Sequence, residues 1–108
     1  MSEYQTLYTT IDSLEDAKEL AAEVIEEKLA ACVNIFPMQS FYHWDGELCE
    51  DEEYALICKT TKRVIPELKD FILESHPYES PAIVIYDIQD GSPDFFKWVE
   101  SQTKAGMH

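Results

Sequence analysis

A chain of 108 residues has room for one hydrophobic core and not for two, and 45% hydrophobic against 28% charged residues, with only 3 Gly and 5 Pro, excludes a disordered tail. Its 22 acidic residues outweigh 8 basic ones, and the resulting net charge of −14 argues against nucleic acid and anionic membranes as partners. The same field concentrates cations, although an acidic surface that merely keeps a protein soluble is the commoner use.

The N-terminal "MSEYQTLYTT" lacks a basic segment followed by an apolar stretch, and no run of about 18 apolar residues occurs, which points to a cytoplasmic protein. Tyr4 to Thr10, rich in Tyr, Thr and Leu, predicts a first strand. Asp12 and Glu15 resemble a capping box, and Leu14, Ala17, Ala21, Val24, Ile25 and Leu29 then share one helical face, so the first helix is expected over Ser13 to Leu29. The stretch "ACVNIFPMQSFYHWDGE" follows as strand two and Glu47 to Thr61 as strand three, joined by the two-residue turn Asp45-Gly46. Strands of roughly 14 residues reach about 45 Å, whereas a compact chain of this size has a radius of gyration near ~13 Å. The hairpin tip is therefore expected to overhang its own body.

Val64, Ile65, Leu68, Phe71 and Ile72 mark a second helix, with Pro66 in its first turn and His76-Pro77 at its end. Pro81 opens a fourth strand, "AIVIYDI", whose continuous apolar run predicts burial on both faces. Gly91 breaks it, and Ser92 with Pro93 starts a last helix carrying Phe95, Phe96, Trp98 and Val99. The order is the βαββαβ pattern of an α+β, ferredoxin-like fold in one domain, 1–108, with an extra C-terminal helix. In that pattern both inner helices cover one sheet face. Pairing Trp44 with Glu47 across the turn places Phe36, Met38, Ala55 and Ile57 on the other face, with a bulge at Pro37 as a possible shift of register. An apolar face that the chain does not cover predicts a homo-oligomer.

"KLAACVNI" at Lys28 to Ile35, the spaced Ser40, Tyr42, Trp44 and Gly46, Glu53 ahead of Lys59-Thr60-Thr61, and "HPYESP" at His76 to Pro81 together resemble the CutA divalent-cation tolerance proteins. The resemblance runs through Trp98 and implies a PII-like homotrimer whose long hairpins clasp neighbouring subunits. Such a trimer carries 3 × (−14) = −42 charges. It further implies a cytoplasmic role in tolerance of divalent metal, with copper(II) the usual candidate, and no enzymatic reaction. Copper-binding members offer a first-strand Cys before Thr and a His-His pair before Pro-Tyr. This chain has Tyr8 before Thr9 and Ser75 before His76, so His76 alone matches, and Ala82 replaces the usual Glu after the second Pro.

His76, on a loop, is the leading metal-ligand candidate, against the alternative that it ends the second helix or packs beside Tyr78. Cys49, followed by Glu50, Asp51, Glu52 and Glu53, offers soft and hard donors together, against the alternative of a solvated hairpin face. Tyr42, Trp44, Glu53, Lys59 and Tyr78 form a candidate ligand cleft between subunits, with interface anchors and an intersubunit salt bridge as the competing uses. Phe36, Met38, Ala55 and Ile57 are the candidate interface. His43 lies near the hairpin tip and His108 at the C-terminus, neither a strong ligand. Cys32, Cys49 and Cys58 lack the spacing of a zinc site and are expected reduced. No Gly-rich phosphate loop, HExxH or nucleophile signature points to catalysis or to an organic cofactor, and the sole Arg, Arg63, is not in a loop that would serve an acylphosphatase.

Overall fold

The structure is a computed structural model that describes residues 3–106; His108 lies outside the described residues. Eight elements follow in order: β1 (Tyr4–Ile11), α1 (Leu14–Glu26), β2 (Cys32–Trp44), β3 (Glu47–Thr61), α2 (Ile65–Ser75), β4 (Ile83–Asp87), α3 (Pro93–Ser101) and a 3-10 turn (Lys104–Gly106). The four strands form one antiparallel sheet in the order β2-β3-β1-β4, the ferredoxin-like arrangement. Among the described residues no helix is long and apolar enough to cross a membrane.

The hairpin register is continuous from Trp44↔Glu47 to Cys32↔Lys59. Asp45 and Gly46 both adopt positive φ, 52° and 78°, which is the type I′ geometry that matches the twist of the flanking strands. Pro37 pairs with Tyr54 in the uninterrupted ladder, and the expected bulge is absent there. The reason is the strand order: β2 is an edge strand, where a missing N–H is tolerated.

Leu7, Ile11, Leu56 and Cys58 on one sheet face pack with Ala17, Leu20 and Val24 of α1 and Leu68 and Ile72 of α2. Helix α1 begins at Ser13, whose hydroxyl accepts from the Asp16 N–H at 3.2 Å, one residue later than the Asp12 box. It stops at Glu26 rather than Leu29. Lys28, at φ 58°, donates to the Ile25 carbonyl and Leu29 to the Val24 carbonyl, a Schellman close without its usual glycine.

The second sheet face is covered at one end only. Helix α3 crosses to it, stacking Phe96 on Tyr4 at 4.4 Å and placing Phe95 beneath the Lys59 ammonium at 5.9 Å. Beyond α3 the face carries Phe36, Val84 and Tyr86, which are 44%, 40% and 55% exposed, with Ile57, Met38 and Tyr8 half-buried between them. Strand β4 is therefore only half-buried, through Ile83 and Ile85 on its helix side, and exposed on the other, contrary to the burial its apolar run predicts. Ala55 lies on this face but is fully covered within one chain, because its methyl sits below its register neighbours Phe36 and Thr10. It floors the patch and does not form its surface. The principal extents of 48 × 25 × 20 Å reflect the overhanging hairpin.

Candidate functional site

Strand β1 ends at Ile11 opposite Tyr54, so the part of β3 before Tyr54 has no strand on that side. The hairpin leaves the body there, and the α2–β4 loop rises opposite it. Between them lies a cleft of about 890 Å³. Tyr42, Trp44, Cys49, Asp51 and Glu53 form its hairpin wall, and Tyr78 and Glu79 form its loop wall. Thr10 and Asp12, at the end of β1 and just beyond it, complete the lining together with Glu52, Ser80 and Ala82.

The side chains reach this wall by the period of two. Cys49, Asp51 and Glu53 alternate onto one face of β3, and Tyr42 faces Cys49 across the ladder. The Tyr42 hydroxyl donates to Asp51, and that bond lifts the phenol to about 12, with burial and the Asp51 charge adding to it. Burial comes first in raising Tyr78 to about 12, followed by the negative charges of Asp12 and Glu53 and then by Tyr42 and Asp51. Five carboxylates thus share the cleft with three aromatic rings, and no Lys, Arg or His is among its lining residues.

His76 sits behind this cleft and is buried. Its Nδ1 accepts from the Tyr78 N–H at 3.1 Å, which leaves Nε2–H to donate to the Thr10 carbonyl at 2.7 Å. Both ring nitrogens are taken by backbone, and the ring packs on Tyr78 at 4.7 Å. The metal-ligand assignment of His76 is corrected accordingly: it is the C-cap of α2 and the post on which the Tyr78 loop hangs. Cys49 does line the cleft, half-buried, its thiol near the Glu47 carbonyl at 3.8 Å. Among the described residues no three His, Cys, Asp or Glu side chains converge to hold an ion. One chain therefore offers a divalent cation scattered donors rather than a complete coordination shell.

Four of the five ligand-cleft candidates, Tyr42, Trp44, Glu53 and Tyr78, come together. Lys59 does not, standing six residues and about 20 Å along β3 from Glu53, under α3. Sequence reasoning missed Asp12, taken there as a helix cap, and Glu79, which sits beside Tyr78 in the "HPYESP" stretch. Arg63 is structural, donating to the Ala105 carbonyl at 3.4 Å.

The family model for the CutA1 divalent ion tolerance protein matches residues 5–102. This chain belongs to the CutA1 family. It is 40% identical over 100 residues to the divalent-cation tolerance protein CutA of Thermus thermophilus, covering 92% of this chain and 97% of that one. A solved structure from Archaeoglobus fulgidus, described as the periplasmic divalent cation tolerance protein CutA, superposes with a TM-score of 0.88 at 37% identity, covering 92% and 97% of the two chains. The chloroplastic CutA of Arabidopsis thaliana is 35% identical over 99 residues, 91% of this chain and 54% of its own. These two relatives overturn the cytoplasmic expectation, since CutA proteins of this similarity are assigned to the periplasm and to the chloroplast. The CutA1 description is of a tolerance protein and names no reaction.

Proposed function

We propose that this CutA1-family chain serves divalent-cation tolerance as a homotrimer, joined through the open sheet face and binding copper(II) or a similar divalent ion weakly at the acidic cleft. The sheet face carries this reading. Phe36, Met38, Ile57, Val84 and Tyr86 lie together on one side of a four-stranded sheet, and a soluble chain seldom leaves such a patch to water. Burying it against further copies also brings the cleft, on the same side of the hairpin, to the subunit boundary. There the thiol of Cys49 and carboxylates of more than one chain supply the soft and hard donors that a single chain holds apart.

Native mass spectrometry, followed by calorimetric titration of copper(II) into the intact assembly, tests both parts. The expected result is a trimer with saturable binding that is weakened in Cys49→Ser and unchanged in His76→Gln. A monomer, or copper binding lost with His76 and indifferent to Cys49, sinks the reading.

A further inference from the structure

The end of the sheet away from the hairpin holds a second, smaller cavity. Tyr4 opens β1 opposite Thr61, the last residue of β3, and α3 lies over this end through the Tyr4–Phe96 stack. Glu3, Tyr4, Thr61, Arg63, Glu100 and Ala105 line about 150 Å³ there. That is about half of the ~300 Å³ at which ordinary ligand pockets begin, so an occupant has only a few heavy atoms.

The Thr61 side chain is 5% exposed, and its hydroxyl has no hydrogen-bond partner. A buried hydroxyl left unpaired costs stability, and a ligand atom reaching it from the cavity completes the pair. The structural bond of Arg63 to the Ala105 carbonyl, at 3.4 Å, uses one of five N–H donors, and the guanidinium pairs with no carboxylate among the described residues. Glu100 instead accepts from the Tyr4 hydroxyl at 3.3 Å. Burial, and then the Glu100 charge, push that phenol up, so it stays a donor. Opposite charges lining so small a cavity ordinarily close on each other, yet here each is moored to another group. A free α-amino acid carries the matching pair of charges within a few atoms: a planar carboxylate for the guanidinium fork and an ammonium group for the carboxylates. A simple carboxylate leaves Glu3 and Glu100 unanswered, and a simple amine leaves Arg63 so.

We infer that this cavity binds a small free α-amino acid, its carboxylate on Arg63 and the Thr61 hydroxyl and its ammonium on Glu100 and Glu3. The site shares no residue with the acidic cleft and stands or falls apart from the metal reading.

L-Alanine is titrated into the intact protein, followed by calorimetry and amide NMR, with acetate and ethylammonium as controls that carry one charge each. The expected result is saturable alanine binding, about tenfold tighter than either control, the scale of one further charge-assisted hydrogen bond. Arg63→Lys keeps the charge, loses the fork and weakens alanine by about tenfold. Glu100→Gln weakens alanine and leaves acetate unchanged. Thr61→Val removes the hydroxyl at nearly the same shape, so it is expected to raise the thermal midpoint while weakening alanine several-fold, a combination that a merely structural threonine does not give. Absence of saturable alanine binding, equal binding of alanine and acetate, or alanine binding unaltered in Thr61→Val overturns the inference.

Discussion

His76 shows how a single side chain changes meaning once its neighbours are known. With Nδ1 accepting from Tyr78 and Nε2–H donating to Thr10, the ring ties the end of α2 and the cleft loop to the end of β1. His76→Ala leaves a buried carbonyl and an N–H without partners and is expected to cost about 1–3 kcal/mol of stability, measured by urea unfolding. Cys58 makes a second residue-scale prediction. Burial, and then the nearby Cys32, push its thiol up from 9.0 to about 12. Between those values the folded chain keeps a proton that the unfolded chain has lost, so stability falls as pH rises, with a limiting slope of about 1.4 kcal/mol per pH unit. Below 9.0 this thiol contributes no slope. Urea midpoints collected from pH 8 upward should show the decline, and Cys58→Ala should flatten it.

At the scale of elements, the ends of α1 and of the hairpin are set by residues with positive φ. Lys28 closes α1 at φ 58° where glycine is usual, a conformation that costs an L-residue roughly 1–2 kcal/mol. Lys28→Gly is therefore expected to stabilise the chain by about 0.5–1 kcal/mol after glycine's extra chain entropy is subtracted, read as a rise in thermal midpoint. Gly46 has the opposite sensitivity. A Cβ there meets nothing within 4 Å, so Gly46→Ala costs only the left-handed strain at φ 78°, about 1 kcal/mol. The loss should appear in urea unfolding without disruption of the hairpin's exchange-protected ladder.

For the whole molecule, the open sheet face and the charge act against each other. The proposed assembly would bury Tyr86, Val84 and Phe36, while each added copy brings −14 charges. Tyr86→Glu, on the edge strand and 55% exposed in one chain, is expected to dissociate the proposed trimer while leaving each chain folded, seen as a drop to monomer mass with an unchanged far-ultraviolet spectrum. A monomer that unfolds outright would show that the face also stabilises the single fold. Raising ionic strength is expected to tighten the assembly, since screening weakens the like-charge term and leaves the apolar one.

The sequence by itself determined the order of elements, the Asp45-Gly46 turn, the hairpin register and the two helix faces, because each is written in local periodicity and turn chemistry. It also showed that Phe36, Met38 and Ile57 would lie opposite the helices, since alternation in a strand admits no other side once the register is set. The tertiary structure decided what local patterns leave open. An αL residue without glycine shortened α1, an edge position made Pro37 harmless, and Ala55 was covered by longer neighbours. The His76 lone pair on Nδ1 is taken by the Tyr78 N–H, in the tautomer whose Nε2–H reaches the carbonyl of Thr10, 66 residues away in the chain. The cleft itself arose only where β1 stopped short of the hairpin, bringing Asp12, Asp51 and Glu79 from three separate segments to one cleft and leaving Lys59 outside it. Such convergence is a property of how the layers pack, and no spacing along the chain encodes it.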